Sequence, residues 1–205
     1  MVVAPPLHWQ PGLLDGDPVG IDPSSWSFRR TDLGEGAWLD QATHVLDGAG
    51  ELFDQLLRQA PWASHERPMY ERMVVEPRLT TGWWEHPPPV VGHLARALSC
   101  HYDTDLSAVS ANLYRNGADS VAWHGDRVGR RTSHTIVVIV SLGSVRRFLL
   151  RPVGGGSSLR LTPGPGDLLA MGGTCQRTWQ HAVPKCVSAG PRISLMFREP
   201  LSMAL

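Results

Sequence analysis

The sequence has little cysteine, little lysine and no long apolar segment. Its three cysteines, Cys100, Cys175 and Cys186, are far apart and odd in number, which argues against a disulfide framework and favours a reducing, cytoplasmic compartment. No apolar run approaches the roughly 20 residues that a membrane helix needs. Residues 1–12 lack the basic and apolar regions of a signal peptide. The sequence therefore predicts neither membrane insertion nor a disulfide-stapled fold.

Lysine occurs once, at Lys185, against 18 arginines. The charge is unevenly distributed: residues 1–102 carry seven arginines and 13 acidic residues, whereas residues 103–205 carry 12 basic and six acidic residues. Arginine favours bidentate recognition of carboxylate and phosphate, so a basic second half is suited to a polyanion. A genomic preference for arginine codons is the alternative explanation for the number of arginines.

The 205 residues are enough for one domain, and we expect a monomer. Residues 1–25 are rich in Pro, Gly and Asp, which is typical of an extended arm. We predict an N-terminal arm over residues 1–40 and a single domain over residues 41–205.

Two helices are predicted in the first half of the chain. The first contains apolar residues at helical spacing around Leu52 and Leu56, with Asp47 as its N-cap and Pro61 as its stop. The second lies in "PPPVVGHLARALSCHY", with proline at its start. Between them, "MYERMVVEPRL" is typical of a strand that ends at Pro77.

After residue 106 the chain consists of short β-rich runs separated by Gly, Pro or Ser. There is no room for helices between these runs, which excludes parallel βαβ crossovers and favours an antiparallel sandwich or jelly roll. The predicted fold is therefore α+β, with two N-terminal helices packed on an all-β core.

Alternation in these runs places polar side chains on common faces. In "SAVSANLYR", Asn112 and Tyr114 share a face with Ser110. If "VAWHGD" is extended, His124 and Asp126 also point the same way. Two histidines and one carboxylate form the facial triad of non-haem Fe(II) oxygenases, and His181 is a better third ligand than His134, which begins a strand near a turn. A polar pair at a strand end is the alternative interpretation of His124 and Asp126.

The run "PRISLMFRE" places two arginines on one face. Arg192, Ser194, Met196 and Arg198 alternate with apolar residues. A buried arginine is costly unless an anion pairs with it, and a dicarboxylate cosubstrate would supply that charge. The alternative is that both arginines reach solvent at an open sheet edge.

Together these motifs resemble the AlkB family of Fe(II)- and 2-oxoglutarate-dependent dioxygenases. The ordered pattern is N-x-Y-x-x-G-x-D-x(4)-H-x-D, a distant histidine and R-x-S-x-x-x-R. It is carried by Asn112, Tyr114, Gly117, Asp119, His124, Asp126, His181, Arg192 and Arg198.

The resemblance implies a double-stranded β-helix that holds iron at His124, Asp126 and His181 and uses 2-oxoglutarate and O2. Arg192 would pair with the distal carboxylate of 2-oxoglutarate, and Asn112, Tyr114, Ser194 and Arg198 would complete that pocket. The implied function is oxidative dealkylation of N-alkylated nucleobases in DNA or RNA, that is, repair of alkylation damage. The damaged base would have to be single-stranded or flipped out of a duplex.

Substrate contacts are expected from aromatic and basic side chains near the motifs. The candidates for the substrate site are Arg78, Trp83, Trp84, Trp123 and Arg127. Further candidates for phosphate contacts are Arg130, Arg131, Arg146, Arg147 and Arg151.

The sequence departs from the family pattern in three places. Arg127 and Val128 stand where DNA-repair members usually carry acids that read the base. Ser194 replaces an asparagine that often lies between the two C-terminal arginines. The lid before the second helix looks short, as if the nucleotide-clasping hairpin were missing. Two other functions therefore remain open: the same chemistry on a protein or small molecule, and a non-catalytic jelly-roll module.

Overall fold

The computed structural model describes residues 19–69, 72–126 and 134–200, and in these ranges it contains three α-helices and twelve β-strands. The helices are α1 (Ala49–Gln59), α2 (Pro89–Tyr102) and α3 (Cys175–Thr178). The strands are β1 (Arg29–Gly34), β2 (Ala37–Ala42), β3 (Ala63–Met69), β4 (Arg72–Thr80), β5 (Ala108–Tyr114), β6 (Val121–His124), β7 (Val137–Gly143), β8 (Phe148–Pro152), β9 (Leu159–Leu161), β10 (Leu168–Gly173), β11 (Trp179–Val183) and β12 (Arg192–Arg198).

The strands form two antiparallel sheets. The major sheet has eight strands in the order β1-β2-β10-β7-β12-β5-β4-β3, and the minor sheet has four in the order β6-β11-β8-β9. Sequential neighbours are mostly not sheet neighbours, so the chain crosses repeatedly between the sheets. The seven β-rich runs predicted after residue 106 correspond to β5 and β7–β12, and the antiparallel prediction is confirmed.

The major sheet separates two hydrophobic clusters. One face packs against α1 and α2 through residues such as Phe53, Leu94 and Phe197. The other face packs against the minor sheet through residues such as Phe148 and Leu150. Because side chains alternate along a strand, β5, β7, β10 and β12 each send one set of residues to the helices and the other set into the space between the sheets. The polar residues of β5 and β12 belong to the second set.

The two long helices lie over the predicted segments, but α1 starts differently from the prediction. Its N-cap is Gly48 in the left-handed region (φ 64°), not Asp47. The backbone of Asp47 pairs with Gly20 in an isolated β-bridge, so the helix cannot include it. At the other end, α1 stops before the extended Ala60, as expected for a residue that precedes proline.

The prediction that Pro77 ends a strand is wrong. Pro77 lies inside β4, which continues to Thr80. The ladder between β3 and β4 shifts register between Ser64 and Glu66, and β5 pairs with β4 only at Leu79 and Thr80. The missing N–H of proline therefore falls where neither the β3–β4 nor the β4–β5 ladder pairs Pro77 with a partner. The sequence pattern also did not predict the β3–β4 hairpin, which lies upstream of the expected lid position.

Strand β2 runs through residue 40, where the sequence predicts the end of an N-terminal arm. It pairs with β10 in register from Ala37 to Ala42, and β1 extends the sheet beside it. The division into an arm and a domain stays a prediction, and residues 1–18 lie outside the described ranges. None of the described helices is both long and apolar enough to span a membrane.

Candidate active site

Three potential metal ligands meet at one end of the minor sheet. In the antiparallel pair β6–β11, His124 lies directly opposite His181, and their ring centroids are 4.2 Å apart. Asp126 follows β6 by two residues, and its Oδ1 lies 3.8 Å from His124 Nε2 and 4.0 Å from His181 Nε2. The candidate ligand atoms of all three residues lie within 4.8 Å of one another. Strand register thus brings together residues that are 57 positions apart in the sequence.

Neighbouring groups hold each ligand in place. His124 Nδ1 lies 2.8 Å from the carbonyl of Ala122; a carbonyl only accepts, so Nδ1 donates to it and Nε2 is the ring nitrogen that faces Asp126. The Oδ2 of Asp126 accepts a 2.7 Å bond from Arg198 Nε, and its backbone N–H donates to Gln176 Oε1 at 2.9 Å. Such partners orient ligands and fix tautomers, as around metal sites in general.

The electrostatics of the cluster suit a divalent cation. Burial raises the pKa of Asp126, but the Arg198 guanidinium, followed by His181, outweighs burial and lowers that pKa to about 2. Burial is also the main reason that the pKa of His181 falls to about 3. At neutral pH the cluster therefore offers a charged carboxylate and a neutral imidazole, which are the ligand forms that metals bind.

Gly125 is the point where the metal cluster touches the backbone of α3. A Cβ at this position would lie 2.5 Å from the carbonyl oxygen of Gln176. By contrast, a Cβ on Gly92 in α2 would meet nothing closer than the Arg96 guanidinium at 3.6 Å.

We therefore expect opposite effects from two glycine-to-alanine changes. Gly125→Ala should lower the free energy of unfolding by about 1–3 kcal/mol, because a rigid backbone must move. It should also weaken binding of a divalent metal, because the residues on either side of Gly125, His124 and Asp126, are both candidate ligands and would move with the backbone. Gly92→Ala should raise stability by about 0.5–1 kcal/mol by improving helix propensity. Urea unfolding of both variants measures these shifts, and equal shifts would contradict the close approach at Gly125.

Arg192 is fully buried in an interior strand of the major sheet. Strand β12 lies between β7 and β5, which excludes the alternative that Arg192 reaches solvent at an open edge. Its guanidinium donates to Ser194 Oγ at 2.6 Å and to Ser141 Oγ at 2.8 Å, while Nε has no hydrogen-bond partner. Among the described residues no carboxylate forms an ion pair with it.

Burial lowers the pKa of Arg192 to about 10, so the side chain remains charged at neutral pH. A buried cation with neutral partners and one unused donor is expensive unless an anion joins it. The surroundings of Arg192 are therefore those of a subsite for an anion.

A cavity of about 920 Å³ joins the metal cluster to the faces of β5 and β12. The predicted cosubstrate residues Asn112, Tyr114, Ser194 and Arg198 line it, and Arg192 lies directly behind Ser194. Arg198 is held by Asp126 and by Ser110, whose Oγ accepts at 2.9 Å. Alternation along β5 and β12 therefore correctly placed these side chains on one face.

Three of the predicted substrate residues also line the cavity. Arg78 forms a 3.0 Å ion pair with Glu76, Trp83 is 53% exposed, and Trp123 is stacked under Arg151 with 4.0 Å between the guanidinium carbon and the ring centroid. They surround the metal cluster with aromatic and charged surface.

Two candidates are corrected and others lie outside the described ranges. Trp84 packs against the hydrophobic cluster on the helix side and is absent from the cavity lining; its backbone N–H donates to the carbonyl of Val109. Arg146 is buried and donates to three backbone carbonyls of neighbouring loops, so it cannot contact phosphate. Candidates in residues 127–133, namely Arg127, Arg130 and Arg131, are not described.

Sequence reasoning missed several residues of the site. Gln176 and Ser141 support Asp126 and Arg192 from distant strands or helices. Glu76 and Lys185 also line the cavity. No local pattern marks these residues; only cross-strand register or loop packing brings them to the site.

Comparison with known proteins adds independent information. The family model described as the 2OG-Fe(II) oxygenase superfamily matches residues 26–198. The bovine (Bos taurus) "Alpha-ketoglutarate-dependent dioxygenase alkB homolog 3" is 31% identical over 177 residues, covering 75% of this chain and 62% of the relative. The Arabidopsis thaliana "DNA oxidative demethylase ALKBH2" is 26% identical over 217 residues, covering 84% of this chain and 69% of the relative.

Solved structures show a similar fold. OsALKBH1 superposes with a TM-score of 0.55 at 15% sequence identity, covering 83% of this chain and all of that one. The chain spans 62% of the length of the bovine relative, so properties of that whole protein do not transfer directly.

Proposed function

Because the chain belongs to the 2OG-Fe(II) oxygenase superfamily, we propose that it is an Fe(II)- and 2-oxoglutarate-dependent dioxygenase that dealkylates N-alkylated nucleobases in DNA or RNA. The names of its relatives confirm the resemblance to the AlkB family. The observation that carries the proposal is the convergence of His124, Asp126 and His181 beside a cavity backed by the buried Arg192. Superfamily membership implies Fe(II), 2-oxoglutarate and O2 as cofactors.

The residues present fit these cofactors. Two imidazoles and one carboxylate form the donor set of non-haem Fe(II) oxygenases, so His124, Asp126 and His181 would hold the metal. The two antiparallel sheets that enclose them support a double-stranded β-helix, with α1 and α2 flanking it on the N-terminal side. Asp126 and His181 are largely buried at this end of the fold, whereas His124 faces the open cavity with 36% of its side chain exposed.

The cosubstrate would bind along β5 and β12. Arg192 and Ser194 would hold the distal carboxylate, which supplies the counter-charge for a guanidinium that has an unused Nε donor and no ion-pair partner among the described residues. Tyr114 and Asn112 form the adjoining wall. Ser194 is already the acceptor of Arg192, so its hydroxyl keeps the guanidinium aimed in place of the longer amide that relatives often carry.

The modified base would occupy the outer part of the cavity. Trp83 provides an aromatic face for stacking, Trp123 borders the cavity at its rim, and Arg78 and its partner Glu76 provide polar groups for the edge of the base. The cavity opens to the surface past the exposed Trp83, so an unpaired or flipped base can enter from solution.

The chemistry that the bound cofactors supply is oxidation, by O2, of the alkyl carbon attached to a base nitrogen. The oxidised carbon leaves as an aldehyde, while 2-oxoglutarate becomes succinate and carbon dioxide. The chain contributes position and charge. Arg198 keeps Asp126 ionised and donates a hydrogen bond to its Oδ2. The side-chain oxygen of Gln176 accepts a hydrogen bond from the backbone N–H of Asp126. Burial keeps His181 neutral, and the apolar residues between the sheets limit access of water.

A panel of methylated single-stranded DNA and RNA oligonucleotides, with formaldehyde and succinate measured together, tests the proposal. We expect formaldehyde release that depends on Fe(II), 2-oxoglutarate and O2, and that matches succinate in amount. Succinate without formaldehyde across the panel would favour the same chemistry on a protein or small molecule. Neither product, despite bound iron, would favour a non-catalytic module.

A further inference from the structure

The outer face of the minor sheet carries positive charge that no described residue of that sheet neutralises. Phe148 and Leu150 of β8 point into the space between the sheets, so Arg147 and Arg151, which alternate with them, point outward. Strand β9 places Arg160 opposite Leu149, on the same outer side. The described strands β6, β8, β9 and β11 contain no acidic residue.

An aromatic ring and an amide complete this face. His124 points to the metal cluster, so Trp123 before it points outward, where the guanidinium of Arg151 stacks on its ring at 4.0 Å. Gln180 lies opposite Arg151 in the β11–β8 ladder. We call Trp123, Arg147, Arg151, Arg160 and Gln180 the outer basic face.

The outer basic face is continuous with the cavity, because Trp123 belongs to both. Its charges are not used within the described part of the molecule. Arg147 and Arg160 are exposed and form no ion pair there. The hydrogen bond of Arg151 to Gln180 is long, at 3.5 Å, and the Nε of Arg151 has no hydrogen-bond partner. Arginines beside an aromatic platform are the combination that binds a single nucleic-acid strand without sequence preference.

We propose that the outer basic face binds the sugar-phosphate backbone of one polynucleotide strand as it leaves the cavity. Arg147, Arg151 and Arg160 contact phosphates, and Trp123 supports the nucleotide at the rim. The inference rests on the proposed function in one respect, that the cavity takes a base of the same strand. The group that the outer basic face recognises is the phosphodiester, which DNA and RNA share.

Binding of unmodified strands tests this surface without requiring turnover. Fluorescence anisotropy with a short labelled single-stranded DNA, and with RNA of the same sequence, is recorded from about 0.05 to 0.3 M salt. The variants are Arg147→Ala/Arg160→Ala and, as a matched control, Arg58→Ala, an exposed arginine on α1 at the opposite side of the major sheet. All three arginines are exposed, so loss of folding is not expected.

The double variant should bind about tenfold or more weakly at 0.1 M salt, and its slope of log affinity against log salt should be shallower by about 1.4, or 0.7 for each lost phosphate contact. Arg58→Ala should bind like the wild type. Comparison of the DNA and RNA strands shows which polymer uses the surface. An unchanged slope in the double variant, an equal loss in Arg58→Ala, or equally tight binding of polyglutamate would overturn the proposal.

The two proposals, dealkylation and strand binding by the outer basic face, can fail independently. If the wild type binds strands through the outer basic face but releases no formaldehyde from methylated strands, this surface stands and the proposed dealkylation fails. If methylated strands are turned over and the double variant retains wild-type affinity and salt slope, the dealkylation stands and this surface is wrong.

Discussion

His181→Leu is expected to abolish iron-dependent turnover and to weaken Fe(II) binding by more than about a hundredfold. Loss of residues that merely support a metal ligand typically costs 10–100-fold, and His181 would be a ligand itself. Leucine keeps most of the volume between His124 and Phe148, whose ring stacks on His181 at 5.3 Å. Anaerobic Fe(II) titration by calorimetry measures the loss.

The control for this change is His93→Ala. His93 is exposed on α2, on the helix side of the major sheet, so its loss should alter neither iron binding nor turnover. Circular dichroism and thermal unfolding should show that both variants stay folded. Retained turnover in a folded His181→Leu variant would remove this histidine from the metal site.

Arg192→Met should raise the 2-oxoglutarate concentration needed for half-maximal rate by roughly ten- to a hundredfold. A charge-assisted hydrogen bond contributes about 1.5–3 kcal/mol, and about 1.4 kcal/mol corresponds to a factor of ten. Methionine fills the buried site without leaving an unpaired charge, so the fold should survive. Steady-state succinate formation against 2-oxoglutarate concentration gives the shift.

A cosubstrate analogue makes the test specific to the distal carboxylate. 2-Oxopentanoate lacks that carboxylate, so the wild type should prefer 2-oxoglutarate strongly and Arg192→Met should lose most of the preference. This is the coupling that a double-mutant cycle isolates. If the preference stays at its wild-type value, another residue holds the distal carboxylate and the role assigned to Arg192 is wrong.

Strand alternation was enough to group most of the site. Ser110, Asn112 and Tyr114 alternate with core residues of β5, and Arg192, Ser194 and Arg198 alternate with core residues of β12. A period of two fixes which face a side chain occupies, and burial of the other face fixes the register. The same rule placed His124 and Asp126 together. His181 could be proposed from the sequence as the partner of His124. Only the β6–β11 ladder shows that the two histidines lie opposite each other.

Interactions across separate segments could not be read in this way. The strands β1, β2 and β3 have mixed polarity and low periodicity, so no pattern predicted them. Gln176 lies in the one-turn helix α3, which overlaps the start of the predicted strand "RTWQHAVP" and was not predicted. Arg146 resembles a surface arginine in sequence, yet three carbonyls of two loops enclose it. Each of these features depends on contacts between segments that are far apart in the sequence.

The departures from the family pattern have different structural consequences. Ser194 keeps a direct bond to Arg192, so the smaller side chain still contributes to the anion subsite. The connection between β4 and α2 is short, as expected, but the β3–β4 hairpin contributes Val75, Glu76 and Arg78 to the cavity wall. A hairpin therefore does border the site.

The measurement that tests the central claim most directly is anaerobic titration of the wild-type protein with Fe(II) and then 2-oxoglutarate, followed by visible absorption. If His124, Asp126 and His181 hold iron beside the subsite of Arg192, a visible band should develop only when both are present and saturate at one iron per chain. The band should be absent in His181→Leu and should need more 2-oxoglutarate in Arg192→Met. No saturable band in the folded wild-type protein would contradict the account.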